Sequence, residues 1–142
     1  MKDIELAKDL MYKDKKAIVI VKDKKVIFSS EGRGIKPVYT ALNELKDELR
    51  GSSAADRVVG KAAAMIYEHA GVKELSTMLI SESAMNVLNK TPITYEYEKS
   101  VPYIENRDRS GMCPVEALSQ KADNIDELLE EISSFLKSIN QQ

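Results

Sequence analysis

The sequence predicts an α/β domain: a three-layer α/β/α sandwich around a mixed sheet of about four or five strands. Two β-rich runs, Lys16–Val21 and Val26–Ser30, flank the polar stretch Lys22-Asp23-Lys24-Lys25, the pattern of a hairpin. Downstream, strand-like segments at Leu75–Ile80 and Ile93–Glu98 alternate with helical periodicity. At 142 residues the chain is long enough to bury a core as a single domain over 1–142, with no low-complexity linker or internal repeat.

Each element has a local reason. Ile4, Ala7, Leu10 and Met11 are spaced for an amphipathic helix over 3–12. The unbroken Ala17–Val21 run predicts an interior strand covered on both faces. After the loop Glu31-Gly32-Arg33-Gly34-Ile35-Lys36-Pro37, a helix starts near Pro37, and Val38, Leu42, Leu45 and Leu49 form its apolar stripe. Arg50-Gly51-Ser52-Ser53 breaks it. Ser53 with Asp56 reads as a capping-box start for a second helix through about Ala70, stopped by Gly71. Its Val58, Val59, Gly60, Ala62, Ala63, Ala64 and Ile66 mark it as the central, most buried helix.

Ser81-Glu82-Ser83 leads from the Leu75–Ile80 strand into a short helix carrying Ala84, Val87 and Leu88, which Pro92 ends. Ile93-Thr94-Tyr95-Glu96-Tyr97-Glu98 alternates as a strand with one face more exposed. A helix follows Cys113, and Asn124 caps a long last helix with a clean stripe from Ile125 to Ile139, leaving Gln141-Gln142 as a frayed end.

Composition excludes several functions. Lys and Arg total 21 against 23 Asp and Glu, a net charge of −2, so there is no strong nucleic-acid signal and no field for an anionic membrane. No apolar run approaches the roughly 20 residues of a membrane span, and the N-terminus lacks a signal-peptide core. One cysteine forms no internal disulfide, and a cytoplasmic location is expected. Cys113 and His69 are too few for zinc, so no metal site and no cofactor is expected. His69, just before Gly71, suits a helix C-terminus. Along one straight helix it would stand about 20 Å from Asp56.

Three segments converge on one candidate site. In the first, Gly32 and Gly34 free backbone N–H groups beside a helix start, with Arg33 and Lys36 adding positive charge. In the second, Asp56 and Lys61 sit in the buried-helix segment, where a charge must be solvated, paired or used. In the third, Cys113 precedes Pro114 as an N-cap, with Glu116 at the capping-box position and Arg107, Arg109, Ser110 and Gly111 upstream. Helix dipole and arginines together favour thiolate over thiol. Glu82, at the start of the short helix, joins the candidate ligand contacts.

The motifs Gly32-Arg33-Gly34, Asp56–Ala64 and Met112-Cys113-Pro114-Val115-Glu116, in that order, resemble the domain-of-unknown-function 1893 family. That resemblance implies the cytidine-deaminase-like fold of that family's small bacterial and archaeal proteins, and no known activity. Zinc deaminases carry His-x-Glu at a core-helix start and Pro-Cys-x-x-Cys at the next strand-to-helix junction. Here those places correspond to the region of Asp56 and to Ser81-Glu82-Ser83-Ala84, without the metal ligands, and Cys113 comes too late to be one.

The expectation is a zinc-free domain binding a small anionic or nucleotide-like ligand at the mouth of its central helix. Whether it is an enzyme stays open: one alternative uses Cys113 as the nucleophile of a thiol enzyme or redox-responsive protein. The other is a non-catalytic assembly module, with the Tyr95/Tyr97 strand as the edge of a homodimer.

Overall fold

The computed structural model describes residues 1–106 and 108–140, so Gln141-Gln142, expected to fray, lie outside the described residues. The elements run α1 (Asp3–Lys13), β1 (Ile18–Lys22), β2 (Lys25–Ser30), α2 (Lys36–Leu45) and a 3₁₀ turn (Lys46–Leu49). They continue with β3 (Ser53–Val59), α3 (Lys61–Ala70), β4 (Glu74–Ser81), α4 (Glu82–Leu88), β5 (Thr94–Val101), α5 (Pro114–Lys121) and α6 (Ile125–Asn140). Among the described residues these make a five-stranded mixed sheet in the order β2-β1-β3-β4-β5. β1 is antiparallel to β2 and to β3, while β3, β4 and β5 run parallel. No helix among the described residues is long and apolar enough to cross a membrane.

β1 shows why the layers form. Ile18 and Ile20 project into the large core with α2, α3, α4 and α6, whereas Val19 and Val21 meet Ala7 and Met11 of α1 on the other face. All four are fully buried. A strand sealed on both sides cannot alternate with polar residues, and the run Ile18–Val21 contains none. Among the described residues α1 alone covers one face, and the core on the other is built with α2, α3, α4, α5 and α6.

The main correction concerns residues 53–59. The sequence predicts the beginning of a long helix; the chain forms β3, and helix begins only at Lys61 after Gly60. Alanines at 54 and 55 favour helix locally, but tertiary pairing overrides that preference. β3 pairs with β1 on one side and β4 on the other, and both its faces lie under helices. Ala55 packs with Ala7 and Met11 of α1, while Ala54 joins the opposite core, so small side chains let both layers close on the strand. Asp56 is therefore a strand residue, and the straight-helix separation from His69 does not hold. The stripe through Leu49 is also divided, since α2 ends at Leu45 and the 3₁₀ turn carries Leu49.

β5 is an edge strand, exposed along most of its length. Tyr95 and Tyr97 stack on the face away from α1, 6.4 Å between ring centres. On the other face Lys8 of α1 pairs with Glu96 at 2.9 Å, and the Tyr12 hydroxyl donates to Glu98. Alternating glutamates of this kind guard an open edge against unplanned pairing.

Ala55→Leu should destabilise the protein by about 1–3 kcal/mol through overpacking between β3 and α1. Urea unfolding would test this beside Val26→Thr on the exposed β2, which should change the midpoint far less.

Candidate functional site

The carboxyl ends of parallel strands in an open α/β sheet are the usual ligand position. Here a cavity of about 250 Å³ opens beyond β3 at the start of α3. Asp56 and Val58 of β3, with Ala62 and Ala63 of α3, form its inner wall. Gly32, Arg33 and Gly34 come from the β2–α2 loop, and Ile104, Cys113, Val115 and Glu116 close the far side. Apart from Asp56, Glu116 and the two arginines Arg33 and Arg57, these walls are apolar or glycine.

Glu116 is the most heavily hydrogen-bonded side chain in the site. The sequence suggests a capping box for its own helix; instead its carboxylate crosses to the start of α3. One oxygen, Oε1, accepts from the Lys61 N–H at 2.9 Å and from the Ser81 and Ser83 hydroxyls at 3.4 Å each. Oε2 accepts from the Ile104 N–H at 2.6 Å. Glu116 is only 2% exposed. Two backbone donors, two hydroxyls and the positive end of α3 offset the cost of burying the charge. Gly60 makes room for it: its backbone is extended, which any residue adopts, but a Cβ there would stand 3.1 Å from Oε1 and 3.3 Å from Ile104. The small residue at 60 is needed for close approach rather than for its dihedral angles.

Asp56 presents the opposite electrostatics. Its Oδ2 accepts from the Tyr67 hydroxyl at 2.6 Å, and Oδ1 is 3.4 Å from the Val58 N–H. The low-dielectric surroundings push its pKa up to about 7, a rise that the Tyr67 and backbone hydrogen bonds only partly oppose. Burial, followed by the neighbouring Asp56 charge, pushes the Tyr67 phenol well above its ordinary value. Near neutral pH the Asp56 carboxyl is therefore available in either form, protonated and able to donate or ionised and able to accept.

The structure brings Gly32, Arg33, Gly34, Asp56, Cys113 and Glu116 to one cavity. The other candidates are placed elsewhere. Lys36 and Glu82 are exposed first residues of α2 and α4. Lys61 contributes its backbone N–H to Glu116, while its side chain is not part of the wall. Arg109, Ser110 and Gly111 sit beyond the cavity because the connection folds back on itself. Glu105 bridges Met112, and the Cys113 N–H donates to the Ile104 carbonyl at 2.8 Å. Arg109 and Ser110 are thus at an exposed tip, and Arg107 lies outside the described residues. Cys113 is the N-cap of α5, half-buried, with no hydrogen bond from its side chain to the helix.

The sequence pattern does not mark Tyr67, Arg57 or Ile104 as site residues. Tyr67 became visible only once β3 and α3 turned back on each other, which sets residues 56 and 67 side by side. Gly60, standing between the β-branched pair Val58-Val59 and an alanine-rich run, was the available signal for that break.

Replacing Glu116 with Gln should cost about 2–3 kcal/mol in urea unfolding, because an amide cannot accept at both ends and leaves a buried N–H unpaired. Asp56 has a pH signature. The folded state keeps its proton to about pH 7, the unfolded state loses it near 3.8. Between these values the folded state binds more protons, so the Asp56 contribution to stability falls as pH rises and levels off above pH 7. Asp56→Asn should remove that slope, on the order of 3 kcal/mol across the window after allowing for solvent access. Unfolding midpoints of both proteins between pH 4 and 8 would measure it.

The family described as "Domain of unknown function (DUF1893)" matches residues 6–136. A crystal structure of a DUF1893 family protein (TM1506) from Thermotoga maritima superposes with a TM-score of 0.85 at 27% identity. That match covers 94% of this chain and 90% of the other. Acinetobacter baumannii RibD, form 2, is 20% identical with a TM-score of 0.45, over 89% of this chain and 38% of that one. No curated protein matches. By a family match running almost from end to end, the chain belongs to the DUF1893 family.

Proposed function

We propose that the cavity beside Asp56 binds one small, largely uncharged ring of nucleobase type, with Arg33 at the rim able to meet a phosphate carried by it. The observation that carries this reading is Asp56, a wall residue whose carboxyl is held by the buried Tyr67 hydroxyl and which stands among the apolar Val58, Ala62, Ala63 and Ile104. A carboxyl group with a pKa of about 7 can donate to a ring nitrogen or accept from an N–H without a large ionisation cost. The volume, about 250 Å³, sits below the roughly 300 Å³ at which typical ligand pockets begin, which suits one ring system. An anion directly on α3 is disfavoured, because the Glu116 carboxylate already takes the Lys61 N–H. The anionic part of an expected nucleotide-like ligand is therefore assigned to Arg33 and the Gly32–Gly34 loop.

Zinc chemistry does not fit these residues. With α3 starting at Lys61, the helix-start position of the deaminase resemblance falls at Gly60-Lys61-Ala62 rather than at Asp56, and the second at Ser81-Glu82-Ser83-Ala84. Neither offers imidazole or thiol, and between them stands the Glu116 carboxylate, already occupied by four donors. Among the described residues no group of three His, Cys, Asp or Glu is placed to hold a metal. The purified protein should contain no stoichiometric zinc by elemental analysis, and chelators should leave its melting temperature unchanged.

A second reading rests on Cys113 sharing the cavity with Asp56: a thiol nucleophile with an acid–base partner across the wall. The two readings separate experimentally. Calorimetric titration with nucleobases, nucleosides and nucleotides should give a binder whose affinity falls about tenfold or more in Asp56→Asn, the cost of one buried hydrogen bond to a charged-capable group. Cys113→Ser should leave that affinity nearly intact. Iodoacetamide labelling of native protein faster than of unfolded protein would favour the thiol reading instead.

A further inference from the structure

A second cavity, about 290 Å³, lies at the other end of α3, bounded by the end of α2, the 3₁₀ turn and α6. Leu42, Ala70 and Leu129 form its apolar floor. Its rim holds three basic side chains, Lys46, Arg50 and His69, together with Asn43 and a single carboxylate, Asp47. Among the described residues the ion pairs are Lys8–Glu96, Lys16–Glu31 and Lys24–Asp3, so neither Lys46 nor Arg50 is neutralised by a carboxylate.

Two further features concern how these cations are held. Lys46 has φ 48° and ψ −118°, a backbone conformation in which glycine is at ease and an L side chain is strained. A lysine stands on the cavity rim despite a backbone conformation that favours glycine. The Arg50 side chain lies against Gly71, where a Cβ would come within 2.9 Å of Nη1 and 3.2 Å of Cγ. Gly71 also has φ 75°, and its carbonyl accepts from the Gly51 N–H at 2.8 Å, so the segment bearing Arg50 is fastened to the end of α3. The backbone bearing Arg50 is thereby held beside the cavity, and the exposed guanidinium can present its planar fork to an anion there. The carbonyl ends of α2 and α3 account for the sign of these side chains. They do not account for a concave, apolar-floored rim or for the strain at Lys46.

We propose that this cavity is a binding site for a phosphate-bearing anion, held by Lys46, Arg50 and His69 and distinct from the Asp56 cavity. Phosphate could arrive free or as a lipid headgroup, and the two sources are separable. The test titrates inorganic pyrophosphate into ¹⁵N-labelled full-length protein, with a parallel sedimentation assay on phosphatidylcholine vesicles with and without phosphatidic acid. Saturable shifts confined to residues 43–51 and 69–71 are expected with pyrophosphate. Binding to the phosphatidic acid vesicles alone would assign the same site to a headgroup.

Lys46→Gln with Arg50→Gln should weaken binding at least about tenfold. Lys90→Gln, an exposed charge beyond α4, should leave it unchanged. Lys46→Gly supplies a second readout: it should raise the melting temperature by relieving the strained backbone while weakening binding. The proposal is overturned by non-saturable shifts, by equal losses in Lys90→Gln, by shifts that map to Arg33 and Asp56 instead, or by no binding to either probe.

Discussion

Everything around the cavity depends on one buried carboxylate. Glu116 joins three segments far apart in sequence: the start of α3, the start of α4 and the chain leaving β5. The contact with Lys61 spans 55 residues. A lone buried charge would cost several kcal/mol, so the fold tolerates it only because each oxygen is engaged and a helix start supplies the compensating field. That requirement reaches back to Gly60, whose missing side chain lets the carboxylate approach, and forward to Ile104, whose N–H is consumed by it.

Two carboxyl groups at one cavity thereby have opposite characters. Glu116 is held by four donors, while Asp56 has the Tyr67 hydroxyl and a long contact with one backbone N–H in an apolar wall that raises its pKa. Environment alone separates them, as it does wherever two carboxyls in one site take different roles. Glu116 organises the wall, and Asp56 faces the space. The small residues Gly60, Ala62 and Ala63 along the inner wall leave the cavity open beside the start of α3.

Much of the architecture was legible from local pattern. The hairpin of β1 and β2, the doubly covered β1, the Cys113-Pro114 helix start and the Asn124-capped last helix all follow from residue chemistry within a few positions. β3 was not legible in this way. Its Ser53-Ala54-Ala55-Asp56 segment is a poor strand former by propensity, and a capping-box pattern followed by alanines reads as helix. The strand exists because β1 and β4 offer backbone partners on both sides and because only small side chains fit beneath two helix layers.

Sequence by itself determined the layer composition, the two-sided burial of β1, the glycine loop with Arg33, the helix starting after Cys113 and the lack of a Cys/His set for zinc. Those properties depend on side-chain chemistry and short-range spacing, which a linear chain displays directly. Tertiary structure decided the conformation of residues 53–59, the pairing of Asp56 with Tyr67, the capture of Lys61 and Ile104 by Glu116, and the displacement of Arg109 and Ser110 to an exposed tip. Each of those depends on a partner from another element, or on how the chain folds back before it returns. Such partners become neighbours only after the sheet has paired and the helices have packed on it.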